Sequence, residues 1–162
     1  MVTRGAERPA QSPEAALRSF IGRLDPGTRK LVRALRAALR KRFPTAHELA
    51  YDYSSQVVIA YGPTERGIDA IVSIAGRADG VRLYFNRGPR IPDPKGLLLG
   101  SGRATRYLPV ESAGRLTEPD VEALIRAAVA LSGTRMSDRG KGRLSVRGAA
   151  AKRKATREHD PR

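Results

Sequence analysis

This sequence predicts an α+β domain with two leading helices, an antiparallel meander sheet of about five strands, and a closing helix packed on the sheet. Three observations carry that reading. Ser12-Pro13-Glu14 and Asp25-Pro26 each join a capping side chain to a first-turn proline, and each precedes a run with a 3.6-residue apolar period. From Glu48 the period drops to two, with short turns between the runs. Glu118-Pro119-Asp120 then opens one last amphipathic stretch.

The elements follow in order. Residues 1–11 are polar and periodless, which reads as a disordered N-terminus. The first helix points Ala16, Leu17 and Phe20 inward and ends near Leu24; the second runs to about Arg42, ahead of Pro44. On the second helix Leu31, Val32, Leu35, Ala38 and Leu39 fall within an arc of roughly 120°. Arg29, Arg33, Arg36 and Arg40 form a stripe on the opposite side, a phosphate comb or, more simply, a solvated face. "ELAYDY" sets Leu49, Tyr51 and Tyr53 on one face. "SQVVIAY" does the same with Val57, Ile59 and Tyr61, "IDAIVSIA" with Ala70, Val72 and Ile74, and "VRLYF" with Val81, Leu83 and Phe85. "TRYLPV" is a fifth strand, confined by Pro109 to an edge or strand end. Leu124, Ala127, Ala128 and Leu131 of the closing helix face the sheet. The domain therefore spans 12–132. Residues 133–162, with ten basic and three acidic side chains and few large apolar groups, read as a disordered basic tail.

Composition excludes several function classes. There are no cysteines, so disulfides, thiolate nucleophiles and cysteine zinc sites are absent. No apolar run approaches the roughly 20 residues that span a bilayer, and the N-terminus lacks the apolar core of a secretory signal. The expectation is a cytoplasmic protein without membrane contact. A net charge of +15 attracts polyanions. Arginines make up 25 of the 31 basic residues, however, a ratio that GC-rich coding alone also produces.

The loop "RGPRIPDPKGLLLGSG", residues 87–102, fits no phosphate cradle. A Walker loop needs Gly-Lys-Ser/Thr leading into a helix, and a dinucleotide turn needs strand, glycines and then helix. Here the glycines lead into a strand. Leu97, Leu98 and Leu99 predict a segment folded back over one end of the core, structural before anything else. Together "HELAYDYSSQVVIAYGPTERGIDAIVSIA" and "LYFNRGPRIPDPKGLLLGSGRATRYL" resemble the YdhG-like domain family, with "DPKGLLLGSG" and the following Arg106 as the most specific part. The resemblance covers roughly residues 12–131. It implies an α+β fold in the grouping that contains YjbR and the frataxin CyaY, and it points at Tyr51, Asp52, Glu65, Arg66, Asp93, Gly96, Gly100, Gly102 and Arg106. It supplies no catalytic roles for them, and Glu65 and Arg66 read as loop-fixing partners.

Four functional readings compete. A frataxin-like iron chaperone would need acidic clusters, yet residues 12–43 carry nine basic side chains against Glu14 and Asp25. Glu48 and Asp52 lie about 13 Å apart along a strand, too far to share a metal. No metal or cofactor is expected. An enzyme would need a convergent set, and His47 is the only histidine in the folded part. A binding module for a small ligand or protein, or for a second copy of the chain, would use the sheet face opposite the helices. There Arg82, Tyr84, Ser73, Val58, Ala60 and Asp52 are expected. Weak, non-specific nucleic-acid contact remains through the arginine stripe and a tail segment containing Lys152, Arg153 and Lys154. The reading is a non-enzymatic binding module with a basic tail.

Overall fold

A computed structural model describes residues 11–147 of the chain. Both N-terminal helix signals act as read. The Ser12 hydroxyl accepts from Ala15 N (3.2 Å) at the start of α1 (Pro13–Gly22). The Asp25 carboxylate accepts from Thr28 N (3.0 Å) and from Thr28 Oγ1 (2.6 Å) at the start of α2 (Pro26–Arg42). A meander follows: β1 (His47–Tyr53), β2 (Gln56–Gly62), β3 (Val72–Arg77), β4 (Gly80–Asn86) and β5 (Thr105–Val110). The closing helix, α3 (Pro119–Ala130), comes next. The fold is α+β, and each meander strand pairs antiparallel with its sequence neighbour.

The sheet has a sixth strand. β6 (Leu144–Arg147) lies parallel to β1, giving the order β5-β4-β3-β2-β1-β6. The expectation of no regular structure from Gly133 onward therefore does not hold for this segment. Leu144 and Val146 alternate toward the core and pack against it, and the strand covers an edge of β1 that would otherwise offer unpaired amides and carbonyls. A four-residue strand carries too few alternations to be read by period alone. The expected N-terminal segment 1–11, apart from its last residue, and the tail lysines and arginine at 152–154 lie outside the described residues.

All three helices pack on one sheet face. Leu17, Ile21, Val32, Leu35, Leu39, Val121, Leu124, Ile125 and Ala128 meet a row formed by Ala50, Ile59, Ile74, Leu83 and Leu108, and every one of these residues is buried. Among the described residues no helix is long and apolar enough to cross a membrane.

The loop between β4 and β5 folds onto this same core. Leu97 and Leu98 pack against it, and Leu99 pairs through its backbone with Tyr107. Asp93 holds the loop shape by accepting from Leu97 N (2.8 Å) and Leu98 N (2.9 Å). Arg106 donates to the carbonyls of Gly102 and Thr105. Gly100 sits at φ +108°, in the left-handed region, whereas Gly102 does not, and a Cβ on Gly102 would make only ordinary contacts. Gly100→Ala should therefore cost about 1 kcal/mol or more. Gly102→Ala should stay within about 0.5 kcal/mol. Urea melts of the two variants check this contrast.

Candidate functional site: a groove on the uncovered sheet face

The β1–β2 hairpin decides what the uncovered face displays. Its turn is the two residues Ser54-Ser55, so Tyr53 sits directly opposite Gln56, Tyr51 opposite Val58 and Leu49 opposite Ala60. Cross-strand partners share a face, so Leu49, Tyr51 and Tyr53 stand with Val58 and Ala60, away from the helices. Asp52 does not belong to the uncovered face, contrary to expectation. It projects to the helix side and pairs there with Arg23.

The floor of the uncovered face is apolar near β1 and β2, where Leu49, Ala60 and Ala70 are buried together against Tyr51. Above this floor lies a groove of about 770 Å³. At one end are the rings of Tyr51 and Tyr53, stacked with centroids 5.8 Å apart and planes 6° from parallel. Burial pushes both phenols above their ordinary value of 10. Ile68, 72% exposed, forms the rim from the short turn Gly67–Asp69. That turn is fixed by Thr64, whose hydroxyl donates to Asp69 Oδ2 (2.7 Å) and accepts from Arg66 N (3.1 Å). At the other end are Asn86, Arg87, Arg90, Arg103 and Thr105, from the end of β4, the 3-10 turn Gly88–Arg90 and the start of β5. Arg87 is the one non-glycine residue with positive φ among the described residues (56°). Its guanidinium reaches toward Gly133. Ser73 lies between the two ends, 8% exposed.

The residues singled out from the sequence are dispersed. Ser73, Val58 and Ala60 line the groove. Arg82 and Tyr84 lie on the same face but outside it. Arg82 donates to the Tyr84 hydroxyl (3.1 Å) and sits 4.2 Å over the Tyr107 ring. Glu65 ties the β2–β3 loop to β6 by accepting from the Ser145 hydroxyl (3.2 Å), while its carbonyl accepts from Arg147. Arg66 is exposed in that loop. Asp93, Gly100, Gly102 and Arg106 do not line the groove, although Arg87, Pro89, Arg90 and Arg103 of the same β4–β5 connection do.

The arginine stripe of α2 is not four free cations. Arg36 is 15% exposed and lies between two carboxylates. It donates to Glu48 through Nε (3.0 Å) and Nη2 (3.1 Å), and to Glu14 through Nη1 (3.1 Å) and Nη2 (2.8 Å). Arg40 stands 3.7 Å from Glu48, and Arg29 donates to the Leu24 carbonyl. Glu48 is 6% exposed and also accepts from the Tyr61 hydroxyl (2.9 Å). Burial, followed by the Glu48 charge, pushes the Tyr61 phenol far above its ordinary range. The reading of Arg36 as part of a solvated comb is corrected: a 3.6-residue period shows the face, not the partner brought to it by β1. Among the described residues no three His, Asp or Glu side chains gather as metal ligands would.

No family model matches the chain, nor does any curated protein or solved structure.

Proposed function

We propose that the chain is a non-catalytic, YdhG-like binding module that holds a small molecule in the groove on the uncovered sheet face. The observation that carries this reading is the groove itself. Its volume of about 770 Å³ falls within the roughly 300–1,000 Å³ of small-molecule sites. Its apolar floor, stacked phenols and few polar groups are the usual composition of such a site. Binding is favoured over catalysis because the lining holds hydroxyls at Ser73 and Thr105 but, among the described residues, no histidine or carboxylate to act as their base. The family part of the proposal rests on the "DPKGLLLGSG" segment and Arg106, which act here as a loop-fixing unit.

The test is a saturation-transfer NMR screen of neutral fused-ring fragments against the full chain. Fragments should bind the wild type in the millimolar range or tighter. They should lose Val58→Trp, which fills the groove floor, while that variant keeps a cooperative melt. Equal binding to both proteins would place the ligand elsewhere and end the proposal.

A further inference from the structure

We infer that the ligand class of the groove is a small aryl anion, with a flat apolar body at the tyrosine end and a carboxylate or phosphate at the arginine end. The inference rests on the groove being a ligand site and adds three observations to it. The first is charge. Arg87, Arg90 and Arg103 line the groove, the Arg87 guanidinium being directed toward Gly133, and among the described residues no carboxylate does. Among the described residues none of these three guanidiniums has a hydrogen-bond or ion-pair partner. Elsewhere on the same sheet face Arg77 and Arg82 both face Asp79, at 3.0 and 3.5 Å. Unmatched guanidiniums around a partly apolar hollow favour an anion, because the lowered dielectric strengthens the attraction and their fork geometry suits carboxylate or phosphate oxygens.

The second observation is a polar group without a partner. Ser73 is more than nine-tenths buried in the groove floor, and its hydroxyl makes no hydrogen bond among the described residues. Its oxygen is open to the groove and not shut off from solvent, so a ligand oxygen reaching the floor would take the place of water on it.

The third is dimension. The tyrosines rise from β1 and the arginines follow β4 or precede β5, and β1 and β4 are three strand spacings apart, about 14 Å. Tyr51 is level with Arg82, four residues or about 13 Å short of Asn86, so the two ends face each other along a diagonal of about 19 Å. Side chains leaning in from both ends leave a span on the order of 10 Å, the length of a fused two-ring acid. The parallel phenols of Tyr51 and Tyr53 offer an aromatic wall for its rings.

The experiment compares 2-naphthoate, neutral 2-naphthalenemethanol and cationic 2-naphthylmethylamine by calorimetry on the full chain at physiological salt. The acid should bind about tenfold tighter than the alcohol, the size of one charge-assisted contact, and the amine weakest. In the Arg90→Gln/Arg103→Gln variant the acid should fall to the level of the alcohol, whose own affinity should not change. Equal affinities for all three, lost together in Val58→Trp, would overturn the ligand class and leave the groove standing as a site. An anion preference that persists in the double variant would move the anion away from the groove and overturn the inference. No binding of any of the three would overturn the inference and the groove reading together.

Discussion

Arg36→Met should cost about 3 kcal/mol, far more than an ordinary surface arginine. The substitution keeps the aliphatic packing of a side chain that is 15% exposed, but it takes four hydrogen bonds from two carboxylates. Glu14 is half exposed and can return to water. Glu48 cannot, since it lies between α2 and the sheet with the Tyr61 hydroxyl on it and, among the described residues, only Arg40, at 3.7 Å, as a remaining cation. Most of the cost is therefore the stranded charge of Glu48. Adding Glu48→Gln to Arg36→Met removes that charge and keeps an acceptor for Tyr61, so it should recover about half of the loss. Chemical denaturation of the two variants measures this. A single-variant loss below about 1 kcal/mol, the size of an exposed pair, would show that the cluster is solvated. The acid side has a defined sign. Hydrogen bonds from Arg36 hold the Glu14 carboxyl below its ordinary 4.5. Its contribution is therefore present above that pH and lost as pH falls through the folded value. The gap between wild type and Arg36→Met should narrow on acidification.

Gly88→Val should destabilise the domain by about 3 kcal/mol, lowering Tm by on the order of 10 °C. Gly88 lies against β5, its amide donating to the Ala104 carbonyl (3.2 Å). A Cβ there would stand 2.4 Å from the backbone nitrogen of Arg106 and 2.6 Å from its Cβ. Backbone cannot rotate away as a side-chain tip can, so either the 3-10 turn or β5 must move. Both carry groove residues, Arg90 on the turn and Thr105 on the strand. Thermal melts with and without 2-naphthoate would show both effects, a lower Tm and a smaller ligand-induced rise. An unchanged Tm would mean that the turn is free to shift and does not position the groove.

Much of the architecture was legible because its signals are local. The Ser12 and Asp25 caps, the apolar stripe of α2 and the period-two runs of β2 and β4 each need only near neighbours to act, and each appears where the sequence predicts it. β3, by contrast, starts only at Val72, after a 3-10 turn at Gly67–Asp69, and Ala70 joins Leu49 and Ala60 on the uncovered face instead of Val72 and Ile74. What was missed depends on pairings distant in the chain. Arg36 reads as a surface residue until β1 brings Glu48 to it, and Leu144–Arg147 is a strand only because β1 offers it an edge. The face assignment of β1 could have been found. Ser54-Ser55 as a two-residue turn forces Tyr53 and Gln56 onto one side, and that parity alone sends Tyr51 and Tyr53 to the uncovered face and Asp52 to the helices. The groove itself gathers residues from five separate segments, and no spacing along the chain announces such a set.

The most direct test of the groove as a ligand site is amide chemical-shift mapping of the ¹⁵N-labelled full chain titrated with 2-naphthoate. The account predicts saturable shifts concentrated at Tyr51, Tyr53, Ser73, Asn86, Arg103 and Thr105, absent in Val58→Trp. Shifts centred instead on Arg33, Arg40 and Lys41 of α2, or spread along residues 133–147, would contradict it. They would place the anion on the basic surface, with no part for the uncovered face of the sheet.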